Sequence, residues 1–435
     1  MVGAGARRGP ASGAATGEDG PRITDAARVT DDETAGPGRS FTSPSMVVDP
    51  DDPSLVYAAS VDVRSQRCNF LRSSDAGRTW TRADASPSPE SHPYCTTTTG
   101  FIPMAFLEMG QDGTLYYLHN AWDLQDDGED GDNRSVFLAR STDQGETWQS
   151  TPVRDNRGKE GNDIERAIPN ALAVDTSGDV DVVYAGYGAS FPLPEEPARP
   201  AQALIAVSED GGASFGEPIS VTGTFFEDEA NHTGAIPDGE VAADYFGSGS
   251  PTLAVDDAGT LFVGWSSRTA NITPSPPSGL YLSTSSDRGP AFEVREVQAG
   301  DKANTGMTGT MLRWSPAGGE AGSLHLVWEG KEPITQGDRD VLYRRSLDGG
   351  ATWSETDVVN DDDPQLLYGQ FHPNLSVAPN GRLDLVWWDQ RDAAGAFGTD
   401  VYYASSSDAG ASWSANQRVT DRLIDRTIGV WTPGT

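Results

Sequence analysis

An eight-residue pattern, Ser-x-Asp-x-Gly-x-Thr/Ser-Trp/Phe, recurs along nearly the whole chain. Its Asp side chain can accept hydrogen bonds from its own turn and its Gly can adopt a positive φ, so each copy predicts a tight turn between two antiparallel strands. We therefore expect the repeated Asp residues to be structural rather than catalytic, and the aromatic ring that ends each copy to be buried at an equivalent place on its blade. Six copies occur, the fourth without the hydroxyl residue: 73–80, 141–148, 208–215, 285–292, 346–353 and 406–413.

Strand-like segments precede each copy of the repeat. Each unit contains two apolar runs rich in β-branched and aromatic residues, and a third run leads into the turn. Units of four strands must stack around a ring, because a lone four-stranded sheet would leave both faces in water. The sequence predicts an all-β, six-bladed β-propeller of four-stranded antiparallel blades. Its repeated turns lie between strands C and D, where A to D are the strands of a blade in chain order.

The chain ends bear on the number of blades. Residues 1–21 are rich in Gly, Ala and Pro without periodicity, which predicts a disordered leader, and residues 22–435 are expected to form one propeller domain. The tetrapeptide Arg-Val-Thr-Asp occurs at 28–31 and again at 418–421. Its first copy is interpreted as an outer strand that removes an exposed sheet edge. The alternative is a seven-bladed ring with an incomplete last blade that starts at Ile428.

Composition limits the partners. The chain has 65 acidic and 31 basic side chains, and its formal net charge of −34 at pH 7 repels phosphate backbones and anionic lipid surfaces. We expect no nucleic-acid partner and, since no apolar run reaches about 18 residues, no membrane span. The two cysteines, Cys68 and Cys95, either form a disulfide, which would favour an extracellular location, or remain thiols.

An acidic loop with two glycines lies between residues 123 and 133. Carboxylates on a flexible turn suit a hard cation, so a structural Ca²⁺ is one expectation, and a solvated acidic turn is the other. No further cofactor is required. The predicted calcium ligands are Asp126, Asp127, Asp130 and Asp132.

The tandem repeats resemble the Asp-box, or BNR-repeat, proteins of the sialidase superfamily over roughly residues 40 to 420. That family includes sialidases, other glycan-active enzymes and propellers without known activity. The resemblance implies a site over the central axis, on the face built from the B–C and D–A loops. The Arg-Ile-Pro signature of sialidases is replaced at its expected place by Thr42-Ser43-Pro44, and Ser65 follows Arg64 where the family places an Asp nearby.

Polar residues follow the predicted B strands on that face, and Tyr368 and His372 enter it just before strand A of the sixth blade. They supply carboxylates and a Tyr for acid, base or nucleophile work, and arginines that can bind an anionic sugar. The alternative is that these charges line a wet channel and pair with one another. The candidate catalytic residues are Tyr368, Asp62, Asp389 and Glu329, and the candidate substrate-binding residues are Arg64, Arg268, Arg391, His372, Asp123 and Tyr187.

Two hypotheses for function follow. One is an exo-acting glycoside hydrolase of the sialidase type with a rearranged set of site residues. The other is a noncatalytic surface propeller that binds a glycan or a protein through the same face. Both predict a secreted or cell-surface protein.

Overall fold

We analysed a computed structural model of the chain. The structure describes residues 41–62, 65–95, 104–121, 135–156, 166–190, 202–221, 251–267, 279–289, 291–299, 310–319, 322–330, 339–363, 368–393 and 398–425. These residues form six four-stranded antiparallel sheets and no helix, so the predicted six-bladed, all-β propeller is confirmed. The leader at 1–21, the tetrapeptide at 28–31 and the alternative blade start at Ile428 lie outside the described residues.

Each blade follows the order A-B-C-D along the chain. Blade I contains β1 Phe41–Val48, β2 Val56–Asp62, β3 Arg67–Ser73 and β4 Thr81–Arg82. Blade II contains β5 Ala105–Met109, β6 Leu115–Ala121, β7 Ser135–Ser141 and β8 Gln149–Arg154. Blade III contains β9 Arg166–Asp175, β10 Val182–Ser190, β11 Gln202–Ser208 and β12 Ile219–Ser220.

The second half of the chain repeats this arrangement. Blade IV contains β13 Thr252–Val255, β14 Leu261–Ser267, β15 Gly279–Ser285 and β16 Glu293–Ala299. Blade V contains β17 Met311–Ser315, β18 Ser323–Gly330, β19 Asp340–Ser346 and β20 Asp357–Val358. Blade VI contains β21 Gln370–Val377, β22 Leu383–Asp389, β23 Gly398–Ser406 and β24 Gln417–Arg418, and β25 Ile424–Asp425 also pairs with β23.

Successive blades contact each other through their innermost strands, which run from β1 through β5, β9, β13 and β17 to β21. Side-chain hydroxyls reinforce two of these contacts: Ser45 Oγ accepts from the Leu107 amide and Thr252 Oγ1 from the Leu312 amide, both at 3.0 Å. Five apolar clusters fill the seams, that is, the interfaces between successive blades, from blades I and II to blades V and VI. The core therefore lies between blades rather than within one sheet.

The repeated turns have the geometry that their sequence predicts. In the first copy, Asp75 accepts from the Thr79 amide at 2.8 Å, from Thr79 Oγ1 at 2.7 Å and from Ser73 Oγ at 2.8 Å, while Gly77 has a φ of 82°. The hydrogen bonds from Thr79 and Ser73 lower the pKa of Asp75 to about 2. These contacts occupy the carboxylate and give it a structural role.

The aromatic residue that ends each repeat is half-buried, so the prediction that all six rings are buried is wrong. A hairpin tip packs only one side of the ring on the core and leaves the other at the surface. Five of the six rings pack on the seam before their own blade: Trp148, Phe215, Phe292, Trp353 and Trp413.

Candidate functional site

Asp389 and Arg391 lie where β22 ends, and they bind each other. Arg391 donates to Asp389 Oδ2 from Nε at 3.0 Å and from Nη2 at 2.8 Å, and its backbone amide donates to Oδ1 at 2.8 Å. The indole Nε1 of Trp387 donates to the same carboxylate at 2.9 Å. Asp389 is completely buried. Its two oxygens are therefore occupied by neighbouring donors from its own blade.

Arg391 also bridges blades V and VI. Its Nη1 donates to Asp361 Oδ1 at 2.6 Å, and its Nη2 lies 3.8 Å from Asp362 Oδ1, both carboxylates following β20. The guanidinium carbon lies 4.2 Å from the centre of the Tyr402 ring, a cation–π contact. The guanidinium expected to bind substrate thus forms ion pairs within the protein, and its role in substrate binding stays a prediction.

Glu329 is the penultimate residue of β18 and supports the backbone of blade VI. It is 1% exposed and forms an ion pair with Arg339, while its Oε2 accepts from the His372 amide at 3.0 Å. His372 has a φ of 54°, which is strained for a residue with a side chain, and it lies in a β-bulge where the register of β21 and β22 shifts. Glu329 is accordingly placed to hold this bulge in position.

The exposed His372 belongs to an aromatic cluster that the sequence reasoning missed. Its ring centre lies 5.4 Å from that of Trp388 at an interplanar angle of 84°, and the Phe371 ring lies 6.1 Å from Trp388. Trp388 remains 38% exposed. A signal was present in the sequence, because two consecutive tryptophans on one strand must point to opposite faces of the sheet.

Three other candidates occupy separate places. Asp62 is fully buried at the end of β2 and accepts from Ser65 Oγ at 2.7 Å and from the Ser65 amide at 3.3 Å. Tyr187 is fully buried in the apolar seam between blades II and III, a poor position for contact with a substrate. Tyr368 is half-buried two residues before β21 begins. Their roles in catalysis or binding stay predictions.

The remaining candidates lie outside the described residues. The convergence of Arg64 and Arg268 with Arg391 therefore stays a prediction, and so does the calcium site. The residues concerned are Arg64, Arg268, Asp123, Asp126, Asp127, Asp130 and Asp132.

Glu108 is a second residue that the sequence reasoning missed. It lies on the inner strand β5, and burial raises the pKa of its carboxyl to about 6, against the opposite effect of Arg313 on the inner strand β17 of blade V. Glu108 and Arg313 occupy equivalent positions on the inner strands of blades II and V. Glu108 pairs with Tyr116, and Arg313 pairs with His325. Tyr116 and His325 each lie one residue after the leucine that pairs with the first serine of the repeated turn. A carboxyl that stays protonated close to neutral pH has the property required of a general acid.

Cys68 and Cys95 form a disulfide, with their Cα atoms 5.5 Å apart. This decides between the two alternatives left open by the sequence. His119 is buried beside it, with its Nδ1 3.7 Å from the Cys95 sulfur, and burial lowers the pKa of the imidazole to about 4. These three residues are close enough to share a metal ion, but metal binding would require free thiolates, which the disulfide removes.

The described residues define a six-bladed propeller in which Arg391 links blades V and VI by ion pairs on the predicted polar face. No helix in the described part of the chain is long and apolar enough to cross a membrane.

Comparison with known proteins adds no family assignment: the sequence matches no protein-family profile and no curated protein. Among solved structures, it is similar to an α-L-arabinanase from Penicillium chrysogenum complexed with arabinobiose, with 16% identity, coverage of 80% of this chain and 88% of that one, and a TM-score of 0.46.

Two further solved structures illustrate the range of similar proteins. A Hadza microbial sialidase shares 15% identity over 80% of this chain and 63% of its own, with a TM-score of 0.48. An ulvan lyase bound to -[GlcA(1-4)Rha3S]- shares 11% identity over 89% and 86%, also with a TM-score of 0.48. The similar structures thus include glycoside hydrolases, a sialidase and a polysaccharide lyase. At these identities the similarity concerns the fold and not the chemistry.

Proposed function

We propose that this chain is an Asp-box propeller of the sialidase superfamily that binds glycans outside the cell without hydrolysing them. One observation carries the proposal: three of the four candidate catalytic residues, Asp62, Glu329 and Asp389, are at most 1% exposed. Each of them accepts hydrogen bonds from neighbouring groups of the protein. A nucleophile or general acid must come within hydrogen-bond distance of the substrate, and these carboxylates are enclosed by their own donors.

The charges favour a neutral glycan over an acidic one. The chain carries a net charge of −34, and Arg391, the described member of the expected arginine set, is already paired with Asp389 and Asp361. Binding an acidic sugar there would require breaking an ion pair that is largely excluded from water. The disulfide supports a secreted or cell-surface location, because disulfides persist in oxidising compartments.

The test is to measure binding and hydrolysis on the same preparation. We expect binding to neutral glycans on a glycan array and no release of fluorophore from a panel of fluorogenic glycosides that includes sialosides. Turnover that disappears in Asp389→Asn or Tyr368→Phe would overturn the proposal in favour of a hydrolase. If the protein bound no glycan on the array, the proposal that it recognises glycans would be wrong.

The second candidate function is an exo-glycosidase, favoured by the raised pKa of Glu108. A carboxyl that titrates at about 6 could protonate a leaving group, and Tyr368 is the candidate nucleophile. If this function holds, Glu108→Gln should abolish hydrolysis in the fluorogenic panel while leaving binding on the array intact. If the chain only binds glycans, Glu108→Gln should give the same results as the parent in both assays.

A further inference from the structure

Glu108 and Arg313 lie at the same level of the central axis. The B-strand residue that pairs with the first serine of the repeated turn aligns the six blades residue by residue, and the next B-strand residue pairs with strand A at this level. The inner strands contact each other in chain order, so blades II and V, three apart in a ring of six, face each other across the axis. The other four A-strand residues at this level have short, uncharged side chains: Val47, Ala173, Ala254 and Ser376.

The two charged side chains act on each other. Directly paired residues of neighbouring strands point to the same face of a sheet. Glu108 therefore shares a face with Tyr116, which lies in the seam between blades II and III, and Arg313 shares one with His325, which stacks on Tyr343 in the seam between blades V and VI. Burial raises the pKa of Glu108 and lowers that of Arg313, and each charge opposes the shift of the other. The carboxyl and the guanidinium are thus within electrostatic reach of each other from opposite blades.

Neither charge is neutralised by direct contact with a partner in the part of the chain that the structure describes. There, the Glu108 carboxylate accepts no hydrogen bond and forms no ion pair, and the only hydrogen bond of the Arg313 side chain runs from Nη1 to the Leu312 carbonyl at 3.0 Å. Both side chains are partly buried. Charges that are withdrawn from water without a partner are costly, and charged groups in such perturbed surroundings concentrate at binding and catalytic sites.

We propose that Glu108 and Arg313 form a site on the central axis for a small zwitterion, a molecule with an ammonium group at one end and a carboxylate at the other. The guanidinium binds the carboxylate through its fork of N–H donors, and the Glu108 carboxylate binds the ammonium. A zwitterion neutralises both charges at once, whereas a simple anion or cation leaves one of them unpaired. The site goes beyond the proposed glycan binding and does not depend on it.

The test is isothermal titration calorimetry of the full chain at pH 7 with three amino acids of increasing length: glycine, 4-aminobutyrate and 6-aminohexanoate. The series is used because the length of the zwitterion must match the space between the two charges. We expect at least one of the three to bind with one molecule per chain. It should bind at least about tenfold more tightly than acetate or butylamine, because each of these satisfies one charge only.

Charge removal and charge exchange separate binding from structure. Glu108→Gln and Arg313→Gln each delete one charge and should weaken binding of the zwitterion by about tenfold or more. Glu108→Arg should abolish binding, and the double variant Glu108→Arg/Arg313→Glu should restore it, because a zwitterion can bind in the reverse orientation. Arg295→Gln removes a guanidinium from the outer strand β16, where it pairs with Glu293 near the surface, and this matched control should bind as the parent does.

Three outcomes would overturn the zwitterion site. The first is that none of the three amino acids binds to the parent. The second is binding that Glu108→Gln and Arg313→Gln leave unchanged, which would place the amino acid elsewhere. The third is acetate binding as tight as that of the amino acids, which would reduce the site to an anion contact at Arg313. The glycan array tests the proposed function separately, so either proposal can fail while the other stands.

Discussion

Trp387 and Trp388 are neighbours on β22 but lie in opposite surroundings. Trp387 is 1% exposed in the seam between blades V and VI, where its indole donates to Asp389. Trp388 points to the other side of the same sheet and keeps more than a third of its surface exposed. A propeller blade has two faces of the same strand geometry, so the difference between them comes from what covers each face.

The two faces of blade VI differ in what packs against them among the described residues. The seam face combines an apolar cluster with the ion pairs of Arg391, and both depend on blade V. The opposite face has Val386 and Trp388 exposed. We infer that the carboxylates on the seam side, Asp389 and Glu329, serve stability.

The largest expected effect contrasts the two tryptophans. Trp387→Ala should lower the free energy of unfolding by about 3–5 kcal/mol, because it leaves a large cavity and removes the hydrogen bond that the indole donates to the Asp389 carboxylate. Trp388→Ala should cost less than about 1 kcal/mol, since its ring is partly in water already. Urea unfolding at pH 7 measures both. Equal losses would show that the two faces are packed alike, contrary to the comparison.

The second contrast concerns two aspartates of β22. Asp389→Ala leaves Arg391 in a largely buried place with fewer partners, and breaking such a pair should cost about 3 kcal/mol. Asp384 faces the other way and pairs with Arg382 at 2.9 Å near the surface. Asp384→Ala should cost about 1 kcal/mol, because it removes a partly exposed ion pair and the hydrogen bond from Tyr403 Oη at 2.6 Å. A larger loss for Asp384 than for Asp389 in thermal unfolding would contradict the assignment of the seam.

The fold could be predicted from the sequence because its repeat is local. Eight consecutive residues contain the acceptor, the glycine and the aromatic ring of each turn, so each turn is specified without long-range contacts. The cysteine pairing was one of two open alternatives, and the structure resolves it. The half-burial of the repeat aromatics was not predictable, since it depends on how far each hairpin tip reaches over the neighbouring seam.

The site could be predicted only in part. The sequence reasoning identified Asp389, Arg391, Glu329 and His372 as polar residues of one face, but their partners lie at long range. Arg391 reaches Asp361, which is 30 residues away and in the preceding blade. Whether a charge serves a substrate or a neighbouring blade depends on such distances, which residue types do not encode.

A smaller contrast uses valines at matched positions. Val327 is completely buried in the seam between blades V and VI, and Val386 is its exposed counterpart in blade VI. Val327→Ala should cost about 2 kcal/mol, by analogy with the burial of a whole valine side chain. Val386→Ala should change stability by at most about 0.5 kcal/mol. Urea unfolding measures both variants. If the free energy of unfolding falls with urea concentration at the same slope in both, their midpoints can be compared directly.

The last contrast is a change in pH dependence and extends the comparison to carboxyls. The turn residue Asp75 is exposed and has its pKa lowered to about 2, whereas burial raises that of Glu108 on an inner strand to about 6. A lowered pKa gives stability that is present above the unfolded value, near 4, and is lost as pH falls toward 2. A raised pKa gives stability that is complete below the unfolded value and is lost as pH rises through about 6.

Glu108→Gln should therefore remove only the decline between about pH 4.5 and pH 6, because glutamine stays neutral throughout. The variant should match the parent in stability at pH 4 and exceed it at pH 7. Its acid limb below pH 4 should be unchanged, since the turn aspartates remain. Asp75→Asn is the converse variant and should make the acid limb shallower, since one of several turn aspartates is lost, and should leave the decline between pH 4.5 and pH 6 unchanged. Urea midpoints measured from pH 3 to pH 8 test both variants. If the stability of the parent did not decline relative to that of Glu108→Gln between pH 4.5 and pH 6, Glu108 would be solvated rather than buried.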